Sequence, residues 1–238
     1  LPPQSTHQPS SAASDVYNTK FLKQPKDTKV VVAMSGVVDS STFAGLMKKE
    51  GYNVVGITLK LYNDTKTSKK NRQCCAGQDI EDAIKVANQF NFPHYVYDYQ
   101  DLFFTNVIDD FVESYANGNT PIPCIRCNQT VKFTDLLNAA KGQRADALVT
   151  GHYVRRIGGE KDSKLYKAKD LNKDQSYFLY DLPQEILKKV VFPLGELTKL
   201  QTREEAKRLG LRTANKPESQ DLCLAEHHGS MKAFLDNY

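Results

Sequence analysis

Short apolar runs alternate along the chain with apolar positions at helical spacing. Val30 to Met34 is apolar and β-branched, as buried parallel strands are. SGVVDSS follows, then TFAGLMKKE, whose spacing predicts a helix stopped by Gly51. Asn53 to Leu59 predicts a second strand. Ile80, Ala83, Ile84 and Ala87 predict a helix over 78–90, ended before Pro93, and His94 to Tyr97 a third strand. Helices are expected over 102–115 and, after a Pro- and Cys-containing loop, from about Gln129 to Ala140, with a strand at Ala147 to Thr150. This order predicts an α/β fold built on a doubly wound parallel sheet.

The pattern changes after Tyr153. Gly158-Gly159 between two short runs predicts a hairpin turn. Short helices are expected near 175–180, 184–190 and 202–209, with Thr198 as a candidate start for the last and Gly210 as its end. The expected division is a disordered tail over 1–28, a nucleotide-binding domain over 29–155 and a smaller, mostly helical domain over 156–238. The first 14 residues lack Lys, Arg, Asp and Glu and are rich in Pro, Ser and Gln.

Composition narrows the class. The 238 residues are 40% hydrophobic and 25% charged, ordinary for a globular protein. No apolar run approaches the roughly 18 residues that span a membrane, and the start does not read as a secretory signal. The net charge of +4 is modest, but the 141–173 stretch holds nine Lys or Arg against four Asp or Glu. The 79–113 stretch is acidic. Such asymmetry suits either a polyanionic partner or a solvated lysine-rich surface.

A strand, then SGVVDSS, then a helix is a layout with a mechanism. The turn and the first helical residues aim backbone N–H groups at one point, where the helix dipole adds positive charge, so an anion binds there. Ser35, Ser40 and Ser41 are candidates for hydroxyl contacts, and Asp39 for a helix cap or an approach to a phosphate-bound metal. No G-K-[ST] follows, so this is not the lysine-containing phosphate loop.

The five cysteines, Cys74, Cys75, Cys124, Cys127 and Cys223, are odd in number. Reactive, metal-binding or reduced thiols are favoured over a disulfide framework. With the helix starting near Gln129, Cys127 is expected just before its N-terminus, beside Arg126 and a turn from Lys132. All three would favour thiolate. A zinc site, a redox pair, or an iron–sulfur cluster on Cys124, Cys127 and Cys223 stay open alternatives.

SGVVDSS resembles the PP-loop of ATP pyrophosphatases, usually SGGxDS, with Val37 in place of the second glycine. A β-branched residue at positive φ would be strained, so either the loop keeps φ negative or nucleotide binding weakens. CCAGQDIEDA, TPIPCIRCNQTVKF, TGHYVRR, KDQSYFL, FPLGELTK and KPESQDLC each resemble segments of tRNA-specific 2-thiouridylases, in the same order. Coverage runs from about Lys29 to the C-terminus.

The resemblance implies ATP-dependent 2-thiolation of a tRNA wobble uridine, with ATP and Mg²⁺ as cofactors, and tRNA and a persulfide donor protein as partners. It implies Cys127 and Cys223 as catalytic thiols that pass through a disulfide. It implies ATP contacts at Ala33, Met34, Ser35, Gly36, Val37, Val38, Asp39, Ser40, Leu59 and Gly151. The tRNA-side positions are Ile122, Pro123, Cys124, His152, Lys173, Asp174 and Gln175. The family usually continues into a C-terminal β-barrel, which is expected to be missing here. A cytoplasmic location is expected, with mitochondrion or plastid as alternatives. Two competing functions are another PP-loop ligase or synthetase, and a tRNA-binding relic suggested by Val37 and the missing end.

Overall fold

The computed structural model describes residues 23–61, 77–159, 162–218 and 230–238. Cys74, Cys75 and Cys223 lie outside the described residues, as do positions 1–22 of the expected tail. Residues 23–28, also assigned to that tail, are ordered. Pro25–Asp27 forms a 3₁₀ turn, Thr28 is fully buried and its hydroxyl donates to the Gln24 carbonyl at 2.9 Å. Lys23 pairs with Asp146, which carries order back beyond Lys29.

Strand β1 (Lys29–Ala33) lies at the centre of a five-stranded parallel sheet. It pairs on one side with β2 (Asn53–Lys60), and β2 pairs with β3 (His94–Asp98). On its other side lies β4 (Ala147–Val149), then β7 (Val190–Val191), giving the order β3-β2-β1-β4-β7. Val30, Val31 and Val32 are all completely buried, which explains a continuous apolar run rather than an alternating one. The expected fold class is borne out.

Helices cover both faces. On one lie α1 (Val38–Lys49) and α2 (Gly77–Phe90), closing a core with Val30, Val32, Phe43, Leu46 and Ala83. On the other lies α3, running as Gln100–Phe103, a π-helical segment Phe104–Ile108 and Asp109–Ala116. Beside it, α4 runs as Pro123–Cys127, a second π segment Asn128–Lys132 and Phe133–Gly142. Their core includes Val31, Ile57, Leu59, Phe111, Cys127 and Phe133.

Helix α4 corrects the expectation that a helix begins near Gln129. Pro123 occupies its first turn, where a missing N–H costs nothing, so the helix starts one and a half turns earlier. Past residue 155, β5 (Val154–Ile157) and β6 (Lys164–Lys167) form the expected antiparallel hairpin. The expected helix over 184–190 stops as α5 (Gln184–Leu187), and Val190–Val191 becomes the sheet edge strand β7 instead. Helix α6 (Lys199–Arg208) begins at Thr198 with a capping box to Gln201, and packs against α1. Leu194, Ala206 and Leu209 therefore join the same buried cluster as Val30 and Phe43. A last helix, α7, spans Met231–Asn237. Among the described residues no helix is long and apolar enough to cross a membrane.

Candidate nucleotide-binding site

Strand order reverses between β1 and β4, which makes the carboxyl ends of these two strands the switch point of the sheet. Open α/β sheets bind ligands at such a point. The loop after β1 is Met34-Ser35-Gly36-Val37, and the loop after β4 is Thr150-Gly151-His152-Tyr153. Two motifs far apart in sequence are thereby set side by side.

Gly36 makes the turn from β1 into α1. Its φ is +68°, and a Cβ there would lie 1.9 Å from the Asp79 carbonyl oxygen. Only glycine suits that position. Val37 is the N-cap of α1 with φ −94° and ψ 171°, which is extended backbone. The loop keeps φ negative at Val37, so the strain considered for a missing second glycine does not arise. Replacing Val37 with Gly is expected to leave ATP affinity within about twofold, since no strain is relieved. An ATP titration of both proteins checks this.

The N–H groups of Val38, Asp39 and Ser40 open α1 and have no partner within the helix, so they form an anion-facing turn. Gly151 packs directly on this turn: a Cβ there would lie 3.3 Å from both the Asp39 Cβ and the Ser40 nitrogen. The serines divide by exposure. Ser35 is partly exposed and its N–H donates to Ser40 Oγ at 3.1 Å. Ser40 and Ser41 are both buried. Met34 and Leu59 are buried, Ala33 partly so, and Leu59 lies near the carboxyl end of β2, one strand over from the loop.

Asp39 is the second residue of α1, not its N-cap. Both its oxygens lie 2.8 Å from Lys199 Nζ, and Oδ1 accepts from the Tyr153 hydroxyl at 3.0 Å. Burial, then the Asp39 charge, push the Tyr153 phenol upward, so it stays a protonated donor. Lys199 also approaches Glu218 at 3.4 Å, and Glu218 pairs with Lys173 at 2.7 Å and Arg203 at 3.7 Å. Burial raises the Glu218 carboxyl, but Lys173 and Lys199 outweigh it and leave it below the usual range. On the far side of the loop, Lys216 Nζ donates to the Gly36 carbonyl at 3.1 Å and to Asp79 and Asp82 at 2.6 Å each. Burial lowers Lys216, but the two carboxylates hold it above its ordinary value. Lys199, Lys216, Glu218, Asp79 and Asp82 were not singled out from the sequence.

The residues matched to tRNA contacts carry internal bonds. Lys173 is paired with Glu218, as above. Asp174 Oδ1 accepts the Ala168 N–H at 2.8 Å and Oδ2 accepts the Ser176 hydroxyl at 2.6 Å. Gln175 Oε1 accepts the Tyr153 N–H at 2.9 Å, and its own N–H donates to the Tyr153 carbonyl at 3.0 Å. Gln175 thus fixes the turn that follows β4.

His152 packs at a tilt on Phe133, ring centroids 5.6 Å apart, and edge-on to Phe192 at 6.5 Å, and its Nδ1 lies 3.1 Å from Thr150 Oγ1. Burial, then the Lys132 charge, pull its pKa down to about 3. Since the folded value lies below the unfolded one, the neutral ring contributes stability above about pH 6.5, lost as pH falls toward 3. NMR of the ring protons is expected to show no titration of His152 between about pH 5 and 8. The ring can therefore hydrogen-bond but cannot supply a cation to phosphate.

Cys127 is 6% exposed inside α4, and Cys124 is exposed in its first turn. The expectation that Cys127 precedes a helix N-terminus is overturned, and with it the dipole argument for its thiolate. Ile122 caps α4 and Pro123 is buried. Asn128 donates to the Phe178 carbonyl at 3.2 Å, and Phe133 meets His152, so the cysteine helix abuts the turn after β4. Cys223 lies outside the described residues. Among the described residues no three His, Cys, Asp or Glu side chains gather as a metal site.

A doubly wound parallel sheet with an anion-facing turn at its switch point defines a nucleotide-binding α/β domain. Residues 28–227 match the family described as tRNA methyl transferase HUP domain, and the chain belongs to that family. The tRNA-specific 2-thiouridylase MnmA of Orientia tsutsugamushi is 56% identical over 206 residues, 87% of this chain and 55% of that protein. The same-named protein of Parvibaculum lavamentivorans is 54% identical over 200 residues, 84% and 50%. The resemblance drawn from the motifs is borne out. The chain spans about half the length of the curated relatives it matches. Among solved structures, an NMN synthetase from Francisella tularensis shares the fold with a TM-score of 0.54 at 18% identity. That likeness covers 95% of this chain and 84% of that one.

Proposed function

We propose that the protein activates a tRNA uridine with ATP and replaces its 2-oxygen with sulfur carried on a cysteine. The observation that carries this reading is the meeting of three segments at the switch point of the sheet: the α1 turn, the Gly151–Tyr153 turn packed on it, and the cysteine helix α4 against that turn. Relatives named tRNA-specific 2-thiouridylase support it.

In this reading the first-turn N–H groups of α1 hold the triphosphate. The uridine, turned out of its stack, attacks the α-phosphorus through O2, and diphosphate leaves. The C2–O bond now ends in a good leaving group. The terminal sulfur of a Cys223 persulfide attacks C2 and AMP departs with the oxygen. The Cys127 thiolate then attacks Cys223 Sγ, forming the Cys127–Cys223 disulfide and leaving the transferred sulfur on C2. A thiol reductant returns both cysteines to the thiol state, and a persulfide donor reloads Cys223.

Glu218 supports the meeting of thiol and nucleotide. It is linked through Lys199 to Asp39, and Cys223 follows five residues later, a reach of at most about 18 Å. Asp39 is the carboxylate that would hold a magnesium ion riding on the phosphates, and such ions need only one or two protein carboxylates. That ion would neutralise charge on the departing diphosphate. The neutral His152 ring supports an uncharged contact to RNA, and the exposure of Cys124 supports a contact near the target base. A cytoplasmic setting accords with the bacterial relatives. Extended Val37 removes the backbone-strain ground for an inactive relic.

Mass analysis of tRNA after incubation with ATP and a persulfide donor tests the reading. One sulfur gained for one oxygen lost, with AMP released in equal amount, is the expected result. AMP formation with unmodified tRNA would turn the assignment toward another ATP-dependent ligation.

A further inference from the structure

We propose that Lys199 is the cationic arm of the phosphate site, parked on Asp39 until a nucleoside triphosphate enters and then transferred to its phosphates. The inference rests on the reading of the α1 turn as a triphosphate site. SGVVDSS has no lysine of its own, so any side-chain cation at the turn comes from elsewhere in the fold. Lys199 supplies it from α6, 160 residues away in sequence.

Its placement is fixed from several sides. The Thr198 capping box starts the helix at Lys199, and the Lys199 N–H donates to Asp170 Oδ2 at 3.0 Å. The residue is only 9% exposed, so the stem is held by packing. The ammonium group lies 2.8 Å from both Asp39 oxygens and 5.5 Å from the centroid of the Tyr153 ring. Asp39 is the second residue of α1 and already stands in the helix-end field that a phosphate would use. An incoming triphosphate meets Asp39 as a like charge unless a cation comes between them.

A fixed structural ion pair is the competing account, and the surrounding bonds argue against it. Moving a buried cation is costly when it leaves a partner uncompensated. Here neither partner loses all its contacts, and the Asp39 carboxylate is partly exposed to water. Asp39 keeps the Tyr153 hydroxyl, and Glu218 keeps Lys173 and Arg203. The network is built so that Lys199 alone can leave.

Calorimetric titration with ATP, inorganic diphosphate and adenosine, without metal, separates the accounts in wild type, Lys199→Gln and Lys199→Arg. Lys199→Gln is expected to weaken ATP and diphosphate binding by about 10-fold or more, the loss of a charged hydrogen bond. Adenosine should change by less than about threefold, and Lys199→Arg should recover most of the loss. Equal weakening of all three ligands, or no change in any, overturns the proposal. Failure of the wild type to bind ATP at all instead overturns the functional reading beneath it. If Lys199→Gln does not fold, wild-type protein with ¹³C-methylated lysines serves. The Lys199 resonance must shift with diphosphate and not with adenosine, and a signal indifferent to diphosphate overturns the proposal.

Discussion

Replacing Cys127 with Ser is expected to abolish sulfur transfer, by at least about 100-fold, while ATP affinity stays within about twofold of wild type. In the proposed reaction the Cys127 thiolate releases sulfur from the C2-bound intermediate, and a serine hydroxyl cannot form the disulfide that does so. The substitution is small. Cys127 sits on the core side of α4 with Phe133 and Val131, and a serine there can return its hydroxyl to the helix backbone. A stability cost of about 1 kcal/mol is expected, too little to unfold the domain. Cys223→Ser should lose transfer equally. Mass analysis of tRNA reads the transfer, calorimetry the binding and thermal unfolding the cost. A Cys127→Ser protein that still thiolates at near wild-type rate would remove this residue from the mechanism.

Gly36→Ala is expected to abolish measurable ATP binding and to destabilise the fold by about 2 kcal/mol or more. The left-handed backbone alone costs an L-residue about 1–2 kcal/mol. The added methyl would also stand 1.9 Å from the Asp79 carbonyl, a backbone atom of α2 that cannot rotate away. Relief requires moving the loop off α2. That movement breaks the Lys216 bridge, which ties the Gly36 carbonyl to Asp79 and Asp82. The α1 turn would then no longer be held at the switch point. Thermal unfolding and an ATP titration check both effects. Val37→Gly, one residue on, is the matched control because its backbone is unstrained.

Much of the sheet was legible because its central strands are buried and therefore written as apolar, β-branched runs. Val30 to Val32 and Val54 to Leu59 announce themselves that way. The two-residue β7 does not, since Val190–Val191 continues an apolar helical pattern and becomes a strand only by pairing with β4. The start of α4 was missed because Pro121 and Pro123 suggest extended chain, whereas Pro123 is a helix-opening residue. The phosphate turn was legible as a motif, but the side each serine faces was not. Ser40 and Ser41 are both buried while Ser35 is partly exposed, because α1 is covered there by its neighbours.

The charged frame around the turn was illegible for a different reason. Lys199 meets Asp39 and Lys216 meets Gly36 and Asp79 across separations of 137 to 180 residues, which no local pattern encodes. A usable signal was nonetheless present. Lys199 and Lys216 lie in FPLGELTK and KPESQDLC, two of the segments that carried the family resemblance, and each is a lone cation in a largely uncharged or acidic stretch.

Single-turnover stoichiometry tests the account most directly. Protein loaded with persulfide, mixed with ATP and tRNA and no reductant, should yield AMP, 2-thiouridine and a Cys127–Cys223 disulfide in equal amounts, the last read by peptide mass mapping. Thiouridine formed without that disulfide, or AMP released in large excess over thiouridine, would contradict the coupling of one nucleotide site to two cysteines.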